Sequence, residues 1–100
     1  MKPVASPPVT WGDAMAVLAE WSGRPVIVVT YLEPGISLRP MTGSLEVRQP
    51  RSGVVQLRVG ERSVVLPEAT FIEAGWVPEQ EGRGLAITQG GVRVDVFADD

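Results

Sequence analysis

The chain has 100 residues, 44% of them hydrophobic, a formal net charge of −3, no histidine and no cysteine. That length suits one domain and excludes two ordinary ones, and the apolar content excludes a disordered chain. Without cysteine there are no disulfides or thiolate metal sites. With histidine also absent, the usual proton shuttle and thiolate nucleophile are missing, so the reading is a non-catalytic protein with no cofactor and no metal.

The charge is unevenly spread. Residues 1–60 carry six Lys or Arg against four acids, a balance of +2, and residues 61–100 carry three against eight, a balance of −5. An acidic total opposes strong non-specific binding of nucleic acid, which depends on neutralising phosphates, but leaves room for a basic patch in the first part. The opening residues hold no apolar run of signal-peptide length, and no stretch approaches the ~20 apolar residues of a membrane span. The expectation is a soluble, cytoplasmic protein with no membrane partner.

Residues 1–9, with Pro3, Pro7 and Pro8, read as an extended tail before a single domain over 10–100. A helix over 10–22 comes first. Thr10 is the N-cap, and Asp13 completes something close to a capping box and suits the helix dipole. Trp11, Met15 and Leu18, with Ala14, Val17 and Trp21, recur at helical spacing and make one apolar face. Gly23 and Pro25 end the helix. Its two tryptophans read as core, with a partner surface as the alternative.

The pattern then turns to β, with strands over 25–76. Val26 to Leu32 is β-branched and nearly continuous, as in a central strand buried on both faces. Glu33-Pro34-Gly35 is a turn. Ile36-Ser37-Leu38 reopens a strand that Pro40 interrupts. From Met41 to Arg48 the chain alternates, with Gly43, Leu45 and Val47 on one face and Thr42, Ser44, Glu46 and Arg48 on the other. Residues 49–53 read as a loop. Val55, Leu57 and Val59 form the next strand, Gly60-Glu61-Arg62 turns tightly, and Ser63 to Leu66 returns. A short break at 67–69 precedes Thr70 to Glu73, and Trp76 anchors the C-terminal hairpin or faces a subunit. Pro78 to Gly84 is a polar loop. Gly90-Gly91 then joins two alternating runs over 84–97, a hairpin signal. Its register sets Ile87 opposite Val94 and Leu85 opposite Val96 on the apolar face, with Thr88 facing Arg93 and Ala86 facing Asp95 on the other. Short strands at this spacing predict a closed or partly closed antiparallel barrel, or a compact sandwich.

The order of helix, bent hairpin, shorter hairpin, short break and final strand resembles the Sm-like family, especially its Hfq branch, over about Thr10 to Gly75. Arg24 to Leu32 is similar to that family's first strand, Pro34 to Leu38 to its turn into the second, and Gly43-Ser44-Leu45-Glu46 to the bend in the second. Val54 to Leu57 is similar to the third strand, and Ser63 to Glu73 to the fourth strand, connector and fifth. The resemblance implies a mainly β, small SH3-like or Sm-like antiparallel barrel with one N-terminal helix and an added C-terminal hairpin. It also implies ring-forming homo-oligomers that bind RNA through two loops. Their counterparts here are Glu46 to Gly53 and Leu66 to Ala69. The second offers Pro67 and Glu68 where the family has a basic residue and a histidine, and the first lacks a stacking aromatic.

Arg39, Arg48, Arg51, Arg58 and Arg62 are the cations to weigh. Alternation points Arg48 and Arg58 outward from neighbouring strands, with Arg51 near one of them, so they form a candidate basic stripe for single-stranded RNA or an acidic protein. Gln49 joins that candidate site, and Tyr31 is the aromatic available to stack a base. The competing reading has these arginines pairing with Glu46 and Glu61 on an ordinary solvated surface. Neither Glu79-x-Glu81 nor Asp99-Asp100 has the spacing of a hard-cation loop. Two functions follow: a non-catalytic module binding RNA or an RNA-associated partner as a homo-oligomeric ring, or a protein-interaction and assembly module without nucleic acid.

Overall fold

The computed structural model describes residues 9–32, 35–78, 80 and 82–98. The Pro-rich tail up to Pro8, the Glu33-Pro34 part of the first turn, the Glu79 and Glu81 pair and the acidic end Asp99-Asp100 lie outside the described residues. The helix is α1 (Trp11–Glu20). Thr10 is extended, and its hydroxyl accepts from the Asp13 N–H at 3.1 Å, so the predicted cap forms. Ala14 and Leu18 are fully buried, and Trp21 at the C-cap is buried.

Eight strands follow among the described residues: β1 (Pro25–Leu32), β2 (Ile36–Ser37), β3 (Met41–Arg51), β4 (Val54–Val59), β5 (Arg62–Pro67), β6 (Phe71–Trp76), β7 (Gly84–Gln89) and β8 (Val92–Ala98). A 3-10 turn, Glu68–Thr70, separates β5 from β6. Every ladder is antiparallel, and the strand order is β5-β4-β3-β1-β8-β7-β6, with β2 beside the end of β1. The sheet is open, where alternation predicts a closed or partly closed barrel.

β3 joins the two halves of the sheet. Its first residues, Met41 to Ser44, pair with β1, and those from Leu45 onward pair with β4. The change of partner falls next to Gly43, whose φ is 147°. A Cβ at Gly43 would lie 3.3 Å from Val59 Cγ1, so the bend and the close approach both favour glycine. The bend brings the inner faces of both halves onto one core. Leu45, Leu57, Val59 and Leu66 from one half join Leu85, Ile87, Val94 and Val96 from the other.

α1 lies along β6. Trp11 meets Phe71 edge-on at 5.5 Å, and Trp21 meets Trp76 at 6.3 Å. Ten helical residues span ~15 Å and the five steps of β6 span ~17 Å, so the two elements match in length. Trp21 is therefore a core residue, and Trp11, half-buried, packs against the core. Trp76, opposite Leu85, ties the hairpin side of the sheet to the helix.

Three sequence expectations need correction. Residues 84–97 form the predicted hairpin in the predicted register, but it is not appended to a finished barrel. β8 pairs along β1 from Val26↔Ala98 to Leu32↔Val92, and β7 then carries β6, so the hairpin sits inside the sheet. Local alternation reports which face a residue takes and is silent about which strand lies next to it. Second, β1 is central but buried on one face only. Val26 and Val28 are buried, whereas Ile27 and Tyr31 are each 37% exposed, because the helix that would cover the outer face lies along β6. Third, the loop placed at 49–53 is mostly strand. β3 runs to Arg51, with a register shift between Arg48 and Arg51 that takes up Pro50, and only Ser52-Gly53 turns.

Candidate interaction surfaces

Arg48 and Arg58 lie on the outer face of the β3–β4–β5 half, whereas Arg62, opposite buried Val59, is in line with the inner face and donates to the Pro40 carbonyl at 3.4 Å. Glu46 is opposite Arg58, and Arg48 is opposite Gln56, so Arg48 and Arg58 are diagonal neighbours on one face. Glu46 stands between them. Arg48 Nε donates to Glu46 Oε1, and Arg58 Nε donates to the Gly60 carbonyl at 3.2 Å. Both members of the Arg48–Glu46 pair are about half exposed, which makes the pair weak and solvated. Arg51 and Gln49 are exposed at the far end of β3, beyond the register shift. The stripe therefore exists as a face, with an acid inside it.

Tyr31 is remote from that face. Ser44 is opposite Pro25, so Glu46 and Arg48 lie beyond the start of β1, while Tyr31 lies six residues along it. At about 3.3 Å per residue that is ~20 Å or more. Tyr31 instead meets Arg93, its partner on β8, whose guanidinium lies 5.6 Å from the ring centre. Arg93 also donates from Nε and Nη2 to the two oxygens of Asp95, at 2.7 and 2.9 Å. Those hydrogen bonds hold the Arg93 guanidinium above its ordinary pKa, against a desolvation that lowers it. Asp95 itself is 2% exposed. This Tyr31–Arg93–Asp95 array was not among the sequence-derived sites. The i, i+2 spacing of Arg93 and Asp95 on the outer face of the hairpin was the available signal, but Tyr31 joins them only through the β1–β8 pairing.

Arg93 and Thr88 form a ridge between two open depressions. One, of about 400 Å³, runs over Gly75 and Ala86 between Trp76 and Glu73; the other, of about 460 Å³, lies between Tyr31 and Gln89. Gln89 is buried, and Thr70 Oγ1 lies 2.5 Å from its Oε1 and 3.2 Å from the Pro67 carbonyl. Thr70 has one hydroxyl hydrogen for two carbonyls. Turning the Gln89 amide end for end lets Nε2, otherwise unpartnered among the described residues, donate to Thr70. The arrangement is then a structural bond fixing the 3-10 turn to β7. No three acid side chains converge among the described residues. No described helix is long and apolar enough to cross a membrane.

The sheet path ends on β5 and β6. β6 is partly covered, since the Val9 N–H donates to the Ala74 carbonyl at 2.8 Å and the register shifts between Phe71 and Glu73. β5 has no described strand on its outer side. The Glu68 N–H continues its ladder by donating to the Gly53 carbonyl at 2.8 Å, which fixes the phase. Arg62, Val64 and Leu66, in step with Glu68, turn their backbone groups to β4. Ser63, Val65 and Pro67 turn theirs outward. Val65 is also 51% exposed. Comparison of the chain with family models, with curated proteins and with solved structures gives no match.

Proposed function

We propose that this chain is a non-catalytic assembly module that associates with copies of itself through the ends of its open sheet. The single observation that carries this reading is β5, a terminal strand with outward backbone groups and an exposed valine. Edges of this kind template further strand pairing. Proteins that stay monomeric blunt them with charged side chains, prolines, bulges or covering segments. β6 has a bulge and a covering contact; β5 has neither, and its charge and its proline, Arg62 and Pro67, stand only at its two ends.

A second reading keeps the nucleic-acid role implied by the Sm-like resemblance. The run of α1, β1, bent β3, β4, β5 and a 3-10 turn supports it, as do Arg48 and Arg58 on one face. Glu46 within the stripe and the distance of Tyr31 from it favour the assembly reading.

Light-scattering mass, measured over a range of protein concentrations together with the ultraviolet absorbance ratio, tests both. Assembly predicts a mass above the single-chain 10.7 kDa with the absorbance of protein alone. A mass of 10.7 kDa at every concentration would end the assembly reading, and co-purifying nucleic acid would favour the second.

A further inference from the structure

Building on the assembly reading, we infer that the copies meet as a twofold dimer, β5 against β5 of a second copy, antiparallel, with Val65 on the axis. A head-to-tail contact of β5 with β6 is the other way of using the two ends. It would require the second copy to displace Val9 from Ala74 and to pair across the shifted register between Phe71 and Glu73. β5 meeting β5 needs neither.

The register follows from the backbone phase and the side chains. Only Ser63, Val65 and Pro67 face outward, so they must oppose one another. Placing Val65 opposite itself puts Ser63 opposite Pro67 of the second copy. Each Val65 then exchanges N–H and C=O with its counterpart. Each Ser63 N–H meets a Pro67 carbonyl, the one backbone group that proline retains. On the inner face Val64 falls opposite Leu66. At the margin Arg62 falls beside Glu68, and the twofold repeats that opposite-charge contact. Both residues are exposed in the single chain. Shifting the register by two residues, with Val64 on the axis, would set Arg62 against Leu66 and Ser63 against Val65, and would lose the charge match.

The chain has no cysteine, so one introduced thiol reports one position. In this arrangement the two copies of residue 65 sit ~5.5 Å apart at Cα, within disulfide range. The two copies of residue 63 are four residues out of register, ~13 Å apart. Copper-catalysed oxidation of full-length Val65→Cys is expected to give a covalent dimer in high yield, while Ser63→Cys stays largely uncrosslinked. Equal crosslinking of both would overturn the register. No crosslinking at 65, in a sample whose light-scattering mass is that of several copies, would overturn the β5 interface and leave assembly standing. A single-chain mass throughout would overturn both.

Discussion

Asp95 is 2% exposed on a sheet face that is otherwise half open. A carboxylate there needs a partner, and Arg93 supplies two hydrogen bonds while lying over Tyr31. The two residues are not equivalent. The Arg93 side chain is 50% exposed and can turn to water, but the Asp95 side chain is 4% exposed and cannot. Removing the arginine strands a buried charge, whereas removing the acid strands nothing. Arg93→Ala is therefore expected to cost about 2 kcal/mol in urea unfolding, and Asp95→Val less than about 1 kcal/mol, since valine suits a strand. Equal losses would show that the pair acts only as surface cover. The pKa of Arg93 is raised, so its contribution is full below the ordinary arginine range and is lost only as the pH rises through the folded value. The difference between the two variants should therefore hold steady around neutrality.

At the level of elements, the hairpin of β7 and β8 links β1 to β6. Within the hairpin, Gly84 marks the close packing of β7 against β8 and the preceding loop, since a Cβ there would lie 3.0 Å from the ring of its partner Phe97 and 2.9 Å from Gln80 Cβ. Deleting residues 78–100 would leave β1 with no long neighbour except β3 and would separate β6 from the sheet. The shortened chain is expected to lose its cooperative thermal transition by circular dichroism; a retained transition would mean that β8 is dispensable to the fold. Individual elements were legible in the sequence because each depends on local chemistry: Thr10 at the cap, Gly90-Gly91 in the hairpin, alternation in β4. The strand order was not. Val26 to Leu32 has the same composition whether its neighbour is β6 or β8, and only the core formed by both halves decides between them. The same limit hid the Tyr31–Arg93 contact and set Tyr31 beside arginines from which the fold separates it. The outward phase of Ser63 and Val65, by contrast, follows from their odd spacing against the two-residue Gly60-Glu61 turn, and reading that turn for backbone direction would have exposed it.

At the scale of the whole molecule, a bent open sheet closes its inner face with one helix and leaves its two terminal strands unequal. β6 is guarded by Val9 and a register shift, and β5 has no described strand on its outer side. The proposed self-association rests on that inequality. The most direct test is residue-resolved amide exchange at low and high protein concentration. Val64 and Leu66, bonded to β4, should be protected at both. Ser63 and Val65 should exchange freely when dilute and become protected when concentrated. Unprotected Ser63 and Val65 amides at a concentration where the protein is associated would contradict the account, because association would then be using some other surface.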